Sequence, residues 1–167
     1  YSLQNAAVHV IKNGGSVGVR NLIVSHEWDA YQMRDYLTIT LPSGRKLYYI
    51  EPQLGENQWG GSSISYYGMD QTTKKWKRLE TYGGKLTENC VQAIARDCLS
   101  QAIEHLEENG LPVVFHIHDE VVIDIKPWTD DETMLERVVK IMSQPISWAP
   151  GLPLGADGWV GKFFKKD

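Results

Sequence analysis

Apolar positions along the chain keep two different rhythms, and the change from one to the other predicts the layout. The opening YSLQNAAVHVIKN, residues 1–13, reads as a short helix that the Gly14-Gly15 pair stops. From about Val17 to Leu79 the signals are of strands and turns. LTITLPSGRKLYYIEP alternates apolar and polar, with the Pro42-Ser43-Gly44 turn joining two strands as a hairpin. LGENQWGGSSISYYGMD continues with a partly mobile loop, expected over 50–62, and a further strand; KKWKRLETYGG follows. From Thr87 the period becomes helical: Val91, Ile94, Ala95, Cys98, Ala102, Ile103 and Leu106 fall on one face, and Gly110 closes the helix.

The stretch VVFHIHDEVVIDI, Val113 to Ile125, breaks a run of strand formers with two histidines and two acids. Val and Ile branch at Cβ and favour pleated, half-buried backbone, so acids in the middle imply a turn or a task. A turn at His118-Asp119 would make a hairpin lying on the long helix, with the acids at its tip. If the backbone there stays extended, Asp119 and Glu120 point to opposite sides, one toward a cleft and one beside it. Thr129 to Glu132, TDDE, reads as a capping box for a helix through Met142. The tail SWAPGLPLGADGWVGKFFKKD is irregular and ends in a candidate strand. The fold class is therefore α+β: a long helix packed on an antiparallel β-hairpin, with a β-rich insertion between residues 20 and 80.

Composition adds bounds. At 167 residues, 42% hydrophobic and 23% charged, the chain is long enough for one globular domain with a real core. No apolar run approaches the ~18 residues of a membrane helix. The start shows neither an initiator Met nor a basic signal region, which suggests a fragment or a processed chain. Cys90 and Cys98 sit eight apart on one helix, ~12 Å between Cα atoms, too far for a disulfide; reduced core thiols favour a cytosolic setting. A net charge of −4 does not advertise nucleic-acid binding, although a local basic groove is compatible with it.

Three readings of the interruption compete. The plainest is a surface turn with incidental acids. A second is a zinc metallohydrolase built on His116 and His118, though no further ligand cluster accompanies them and His26 and His105 stand alone. The third is phosphoryl transfer with paired metals, since Mg²⁺ takes a few carboxylates together with substrate phosphates. KKWKR, Lys74 to Arg78, and the terminal KFFKK mix cations with aromatics; each suits phosphate and base, or equally a solvated edge strand blunted by Lys. Trp128, Trp148 and Trp159 are expected to pack in the core, and no nucleophile elbow is present.

The segment YGGKLTENCVQAIARDCLSQAIEHLEENGLPVVFHIHDEVVIDI resembles family A (Pol I-like) DNA polymerases of the phage type. In them a palm helix carrying QA-ARD precedes the HDE hairpin called motif C. The likeness extends through LPSGRKLYY and YYGMDQTTKKWKRLETYGGKL, and onward through GLPLGADGWVGKFFKK, covering at least residues 37–167. The resemblance implies that Asp119 binds the catalytic Mg²⁺ ions, two in the complete site, and that Glu120 supports the primer end or the metal shell. It implies that His118 contacts the primer backbone and that Gln92 reaches the minor groove near the primer terminus. Lys85, Glu88 and Asn89 lie where the family meets DNA, and Arg96 with Asp97 reads as a structural pair on the helix. The partners implied are primer–template DNA, deoxynucleotides and the remainder of the polymerase, in cis or as a separate chain, with no membrane. The implied chemistry is in-line attack of a primer 3′-hydroxyl on the nucleotide α-phosphate, in the cytoplasm of a bacterium or phage-infected host.

The family's second metal-binding aspartate, in motif A, and its nucleotide-holding fingers helix precede this segment in family order. No matching stretch occurs here; RDYLTIT, Arg34 to Thr40, lies in the wrong context. The chain is accordingly read as the C-terminal part of a polymerase palm, inactive alone. It divides into a helical lead-in (1–16), a β-rich segment (17–82) and the palm helix, motif C hairpin, C-terminal helix and tail (83–167). The alternative is a non-catalytic palm module that binds DNA or another subunit.

Overall fold

The structure is a computed structural model that describes residues 2–56 and 60–164. It divides into two compact units, Tyr1–Ile94 and Ala95–Asp167, the boundary falling inside a long helix. Among the described residues no helix is long and apolar enough to cross a membrane.

In the first unit, α1 (Leu3–Asn13) begins where Ser2 Oγ accepts the Asn5 amide and ends at Gly14, whose φ of 73° only glycine adopts cheaply. Six strands follow: β1 (Gly15–Val19), β2 (Leu22–Asp29), β3 (Arg34–Thr40), β4 (Lys46–Glu56), β5 (Ser62–Met69) and β6 (Trp76–Thr81). They form an antiparallel meander in chain order, the simplest way to pair consecutive strands through short turns. β1 starts at Gly15, inside the stretch expected to lead in as helix. The Pro42-Ser43-Gly44 turn is present: Gly44 sits at φ 87° and its N–H donates to the Leu41 carbonyl at 2.9 Å.

The loop expected over 50–62 is largely strand. A bulge between Ile50 and Gln53, with Glu51 at φ 48°, absorbs the irregularity and lets Gln53–Glu56 go on pairing with Ser62–Ser65. Residues 57–59 of that expected loop lie outside the described residues.

One sheet face is apolar because Val24, Leu37, Ile39 and Ile64 alternate inward, and Ala6, Ala7 and Val10 of α1 pack with them. Leu86, Cys90 and Ala93 of α2 (Gly83–Glu108) complete this core. The expected stripe on α2 is revised here, since Val91 and Ala95 are exposed. The buried residues run Leu86, Cys90, Ala93 and then Leu99, Ala102, Leu106. The six-residue step from Ala93 to Leu99 breaks the three-four rhythm, so one helix carries two stripes rather than one. Cys90 is buried and Cys98 half-buried; both thiols are free, and burial pushes both upward in pKa.

In the second unit Gly110 ends α2 at φ 72°, and the Leu111 N–H donates back to the Leu106 carbonyl at 3.0 Å. Strands β7 (Val113–Ile117) and β8 (Glu120–Ile123) form the expected hairpin, and α3 (Asp131–Met142) follows. Leu106, Leu111 and Ile141 are its buried cluster, joined by Val113, Val121 and Ile123 of the hairpin and Met134, Val138 and Met142 of α3.

The α3 cap falls one residue later than expected: Asp130, not Thr129, accepts the Thr133 N–H, at 2.9 Å. Thr129 is already committed to a turn, its N–H donating to the Lys126 carbonyl, and a carboxylate suits a helix N-terminus. No strand forms in residues 143–164. Trp128 and Trp159 are exposed rather than packed; Trp128 lies on the turn before α3 with the Lys126 ammonium 5.5 Å from its ring. Of KFFKK, Lys165 and Lys166 lie outside the described residues.

Candidate functional site

The β7–β8 register pairs Ile117 with Glu120, so only His118 and Asp119 form the loop. A two-residue hairpin loop matches strand twist when its first central residue has positive φ. His118 supplies this at φ 52°, and histidine is among the residue types that tolerate that region. The turn leaves His118, Asp119 and Glu120 all exposed at the tip.

The expectation of opposed carboxylates rested on an extended backbone. Because Asp119 lies in the turn, Asp119 and Glu120 instead border the same cleft. This cleft, about 880 Å³, is lined by Asp124 and Ile125 after β8, Met134 and Val138 of α3, and Trp159 and Phe163 of the tail, among others. Phe164, also in the lining, meets Phe115 edge to face at 5.2 Å between centroids.

Arg96, on the second unit's part of α2, reaches β7: its Nη2 lies 3.4 Å from His116 Nε2. A guanidinium only donates, so this bond requires Nε2 to be the unprotonated, accepting nitrogen. Sequence reasoning missed this contact; two residues twenty apart carry no local signal of it. A cation at its ring nitrogen also works against His116 as a zinc ligand.

On the first unit's part of α2, Glu88 stands between two of the candidates. Lys85 Nζ is 4.0 Å from Glu88 Oε2, and Gln92 Nε2 donates to Glu88 Oε1 at 3.3 Å. All three are exposed. Asn89 is differently placed: it is half-buried and its amide donates to the Tyr49 hydroxyl at 3.0 Å. Burial pushes that tyrosine up to about 12, while the bond from Asn89 pulls the other way. The side chain of Asn89 thus has a bond inside the protein already.

KKWKR lies on a turn and the edge strand β6. Lys77 Nζ meets Asp70 Oδ2 at 2.7 Å, and Arg78 lies over the Tyr67 ring at 4.3 Å. Both readings of this motif therefore keep a structural basis: a charged edge, and cations beside rings.

Among the described residues no three His, Cys, Asp or Glu side chains gather as a metal-binding group. A closed zinc site of four ligands does not fit this arrangement. Mg²⁺ asks less, one or two carboxylates with substrate phosphates and water filling the octahedron, and the open tip bearing Asp119 and Glu120 fits that share.

Set against known proteins, the chain is 40% identical over 168 aligned residues to a DNA polymerase of Bacillus phage SP02. The match takes in all of this chain and 24% of that protein, so the chain spans about a quarter of its relative's length. It is similar to a segment of a phage DNA polymerase. No family model and no solved structure matches it.

Proposed function

We propose that the chain is the C-terminal palm portion of a family A DNA polymerase and carries part of its nucleotidyl-transfer site. The observation that carries this reading is the two-residue turn that puts Asp119 and Glu120 side by side at an exposed hairpin tip, bordering one cleft. Identity to a DNA polymerase along the whole chain supports it.

In this reading Asp119 is the metal-binding carboxylate, Glu120 steadies the primer end or the metal shell, and His118 meets the primer backbone. Mg²⁺, when bound, supplies Lewis-acid stabilisation of phosphate charge. Gln92, Lys85 and Asn89 belong to the surface that meets DNA. Arg96 positions β7 through His116, which holds the strand leading into the turn. A second metal-binding aspartate comes from elsewhere in the polymerase, since one carboxylate pair does not organise two ions. The segment alone is inactive in consequence.

A chimera tests this: the chain replaces the matching 24% of the phage SP02 polymerase, and extension of a primed template is followed. Asp119→Ala should lower extension roughly a thousandfold, with primer–template affinity kept within about threefold. Extension unchanged by Asp119→Ala would sink the catalytic assignment. A chimera that binds primer–template but never extends it would favour the non-catalytic binding module.

A further inference from the structure

The six-stranded sheet has a second face, opposite the one that packs with α1. Directly paired residues of antiparallel strands share a face. The register therefore aligns Tyr36 with Ile50, Ile50 with Tyr67 and Tyr67 with Arg78, and, two residues along, Met69 with Trp76. Tyr48 is two residues from Ile50 on β4 and points the same way. Leu37, Tyr49, Ile64 and Tyr66 take the intervening positions and face the core.

A solvated antiparallel face is ordinarily polar. This one presents four aromatic rings, with Tyr48 at 58%, Trp76 at 54% and Met69 at 47% exposure. The rings are held in place. Tyr36 and Tyr48 meet edge to face at 5.8 Å, and the Arg78 guanidinium lies 4.3 Å over Tyr67. Arg78 is itself fixed by donating to the Glu51 carbonyl at 3.1 Å and to Ser65 Oγ at 3.2 Å.

Two exposed lysines lie in the turn at the outer end of this row. The turn between β5 and β6 closes with the Asp70 N–H donating to the Lys75 carbonyl at 2.9 Å, and it delivers Lys74 and Lys75 just before Trp76. Three of the acids nearby are occupied. Asp70 accepts from Lys77 and from Thr73, which hold it well below the usual carboxylate range. Glu27 takes Lys46 at 2.7 Å, and Glu51 takes Arg34 at 3.6 Å. Glu80 is the exception: it lies opposite Ser65 on the same face, two residues beyond Arg78, exposed and, among the described residues, without a side-chain partner.

We propose that this outer face is a binding surface for single-stranded nucleic acid, with a base stacked on Trp76 and phosphates on Lys74 and Lys75. Rings tolerate any base because every base has a π-face, and lysines at the rim match the phosphate charge. An apolar protein partner would use the rings but gains nothing from that basic rim. The surface is distinct from the hairpin tip and stands on its own residues.

The test uses the whole chain and a fluorescein-labelled oligothymidine of about 20 nucleotides, followed by anisotropy. Saturable binding should weaken about tenfold or more in Trp76→Ala and recover largely in Trp76→Phe. Lys74→Ala with Lys75→Ala should flatten the dependence of log affinity on log salt by about 1.4, two phosphates' worth for a single strand. Should Trp76→Ala disturb the circular dichroism, the lysine pair carries the test alone. Absence of saturable binding, or affinity and salt slope unchanged in these variants, overturns the proposal. Self-association of the free chain that Trp76→Ala abolishes, without oligonucleotide binding, would make the face a protein interface and overturn it too. Neither readout involves Asp119, so this proposal and the one for the hairpin fail separately.

Discussion

The two units bury themselves to different degrees. The first has Ala6, Ala7, Val10, Val24, Leu37, Ile39, Ile64 and Leu86 wholly shielded in one cluster. Among the described residues the second buries Leu99, Ala102, Leu106, Leu111, Ile141 and Ile146, of which Leu106 alone is wholly shielded, and leaves Val114 and Phe115 of its hairpin exposed. The candidate carboxylates ride on the more thinly packed unit. Stability and candidate chemistry are thus carried by different parts of the chain: a meander closed over a dense core, and a short hairpin that holds charged groups open to solvent. Elements with few buried apolar contacts are the ones that open locally at low free energy, and binding elements are commonly drawn from them.

The largest expected effect that sharpens this contrast is in the first core. Leu37→Ala should destabilise the sheet by about 3–4 kcal/mol, since it removes a wholly buried side chain from a site with little room to collapse. Ile141→Ala should cost the second unit about 2 kcal/mol. Native-state hydrogen exchange, read strand by strand, checks both. Each substitution should raise exchange in its own unit, and equal acceleration everywhere would mean the units unfold as one and the contrast is false.

A smaller effect is expected at the α3 cap. Asp130→Ala removes the acceptor for the Thr133 N–H and should cost about 1 kcal/mol, visible as faster exchange in the first turn of α3. If the α3 amides are unaffected, the second unit is held together more firmly than its packing suggests.

The smallest neutral-pH effect has the sharpest pH signature. Tyr49 ionises near 10 when unfolded but is pushed up to about 12 by burial in the folded protein. Its folded pKa is the raised one, so stability is full below pH 10 and falls as pH rises toward 12. Tyr49→Phe should flatten that alkaline decline while costing about 1 kcal/mol or less at neutral pH, where Asn89 loses its acceptor. Urea midpoints between pH 8 and 12 check it; an unchanged alkaline limb would show that other groups, such as the similarly raised Tyr66, govern it.

Much of the architecture is legible along the chain wherever one local preference decides. The stop at Gly14, the Pro42-Ser43-Gly44 turn, the close of α2 at Gly110 and the His118-Asp119 turn follow from which residues accept positive φ or interrupt a period. The hairpin tip was readable for the same reason. That both acids border one cleft was not, because it depends on Asp119 lying in the turn rather than in a strand. The Thr129 cap failed for a similar cause: two adjacent residues are both good caps, and a preceding turn chose between them.

By itself, then, the sequence determined the order of the elements, their approximate ends, the α+β class and the presence of acids at a turn, because these depend on steric preferences within a few residues. Only the tertiary structure decided which stripes of α2 are buried, that Arg96 reaches His116, that Asn89 is bonded to Tyr49, and that Tyr36, Tyr48, Tyr67 and Trp76 share one open face. Those facts depend on strand register and on what packs against each side. Neither has a local energetic signature, since a shift of one residue would turn every side chain of a strand to the other face.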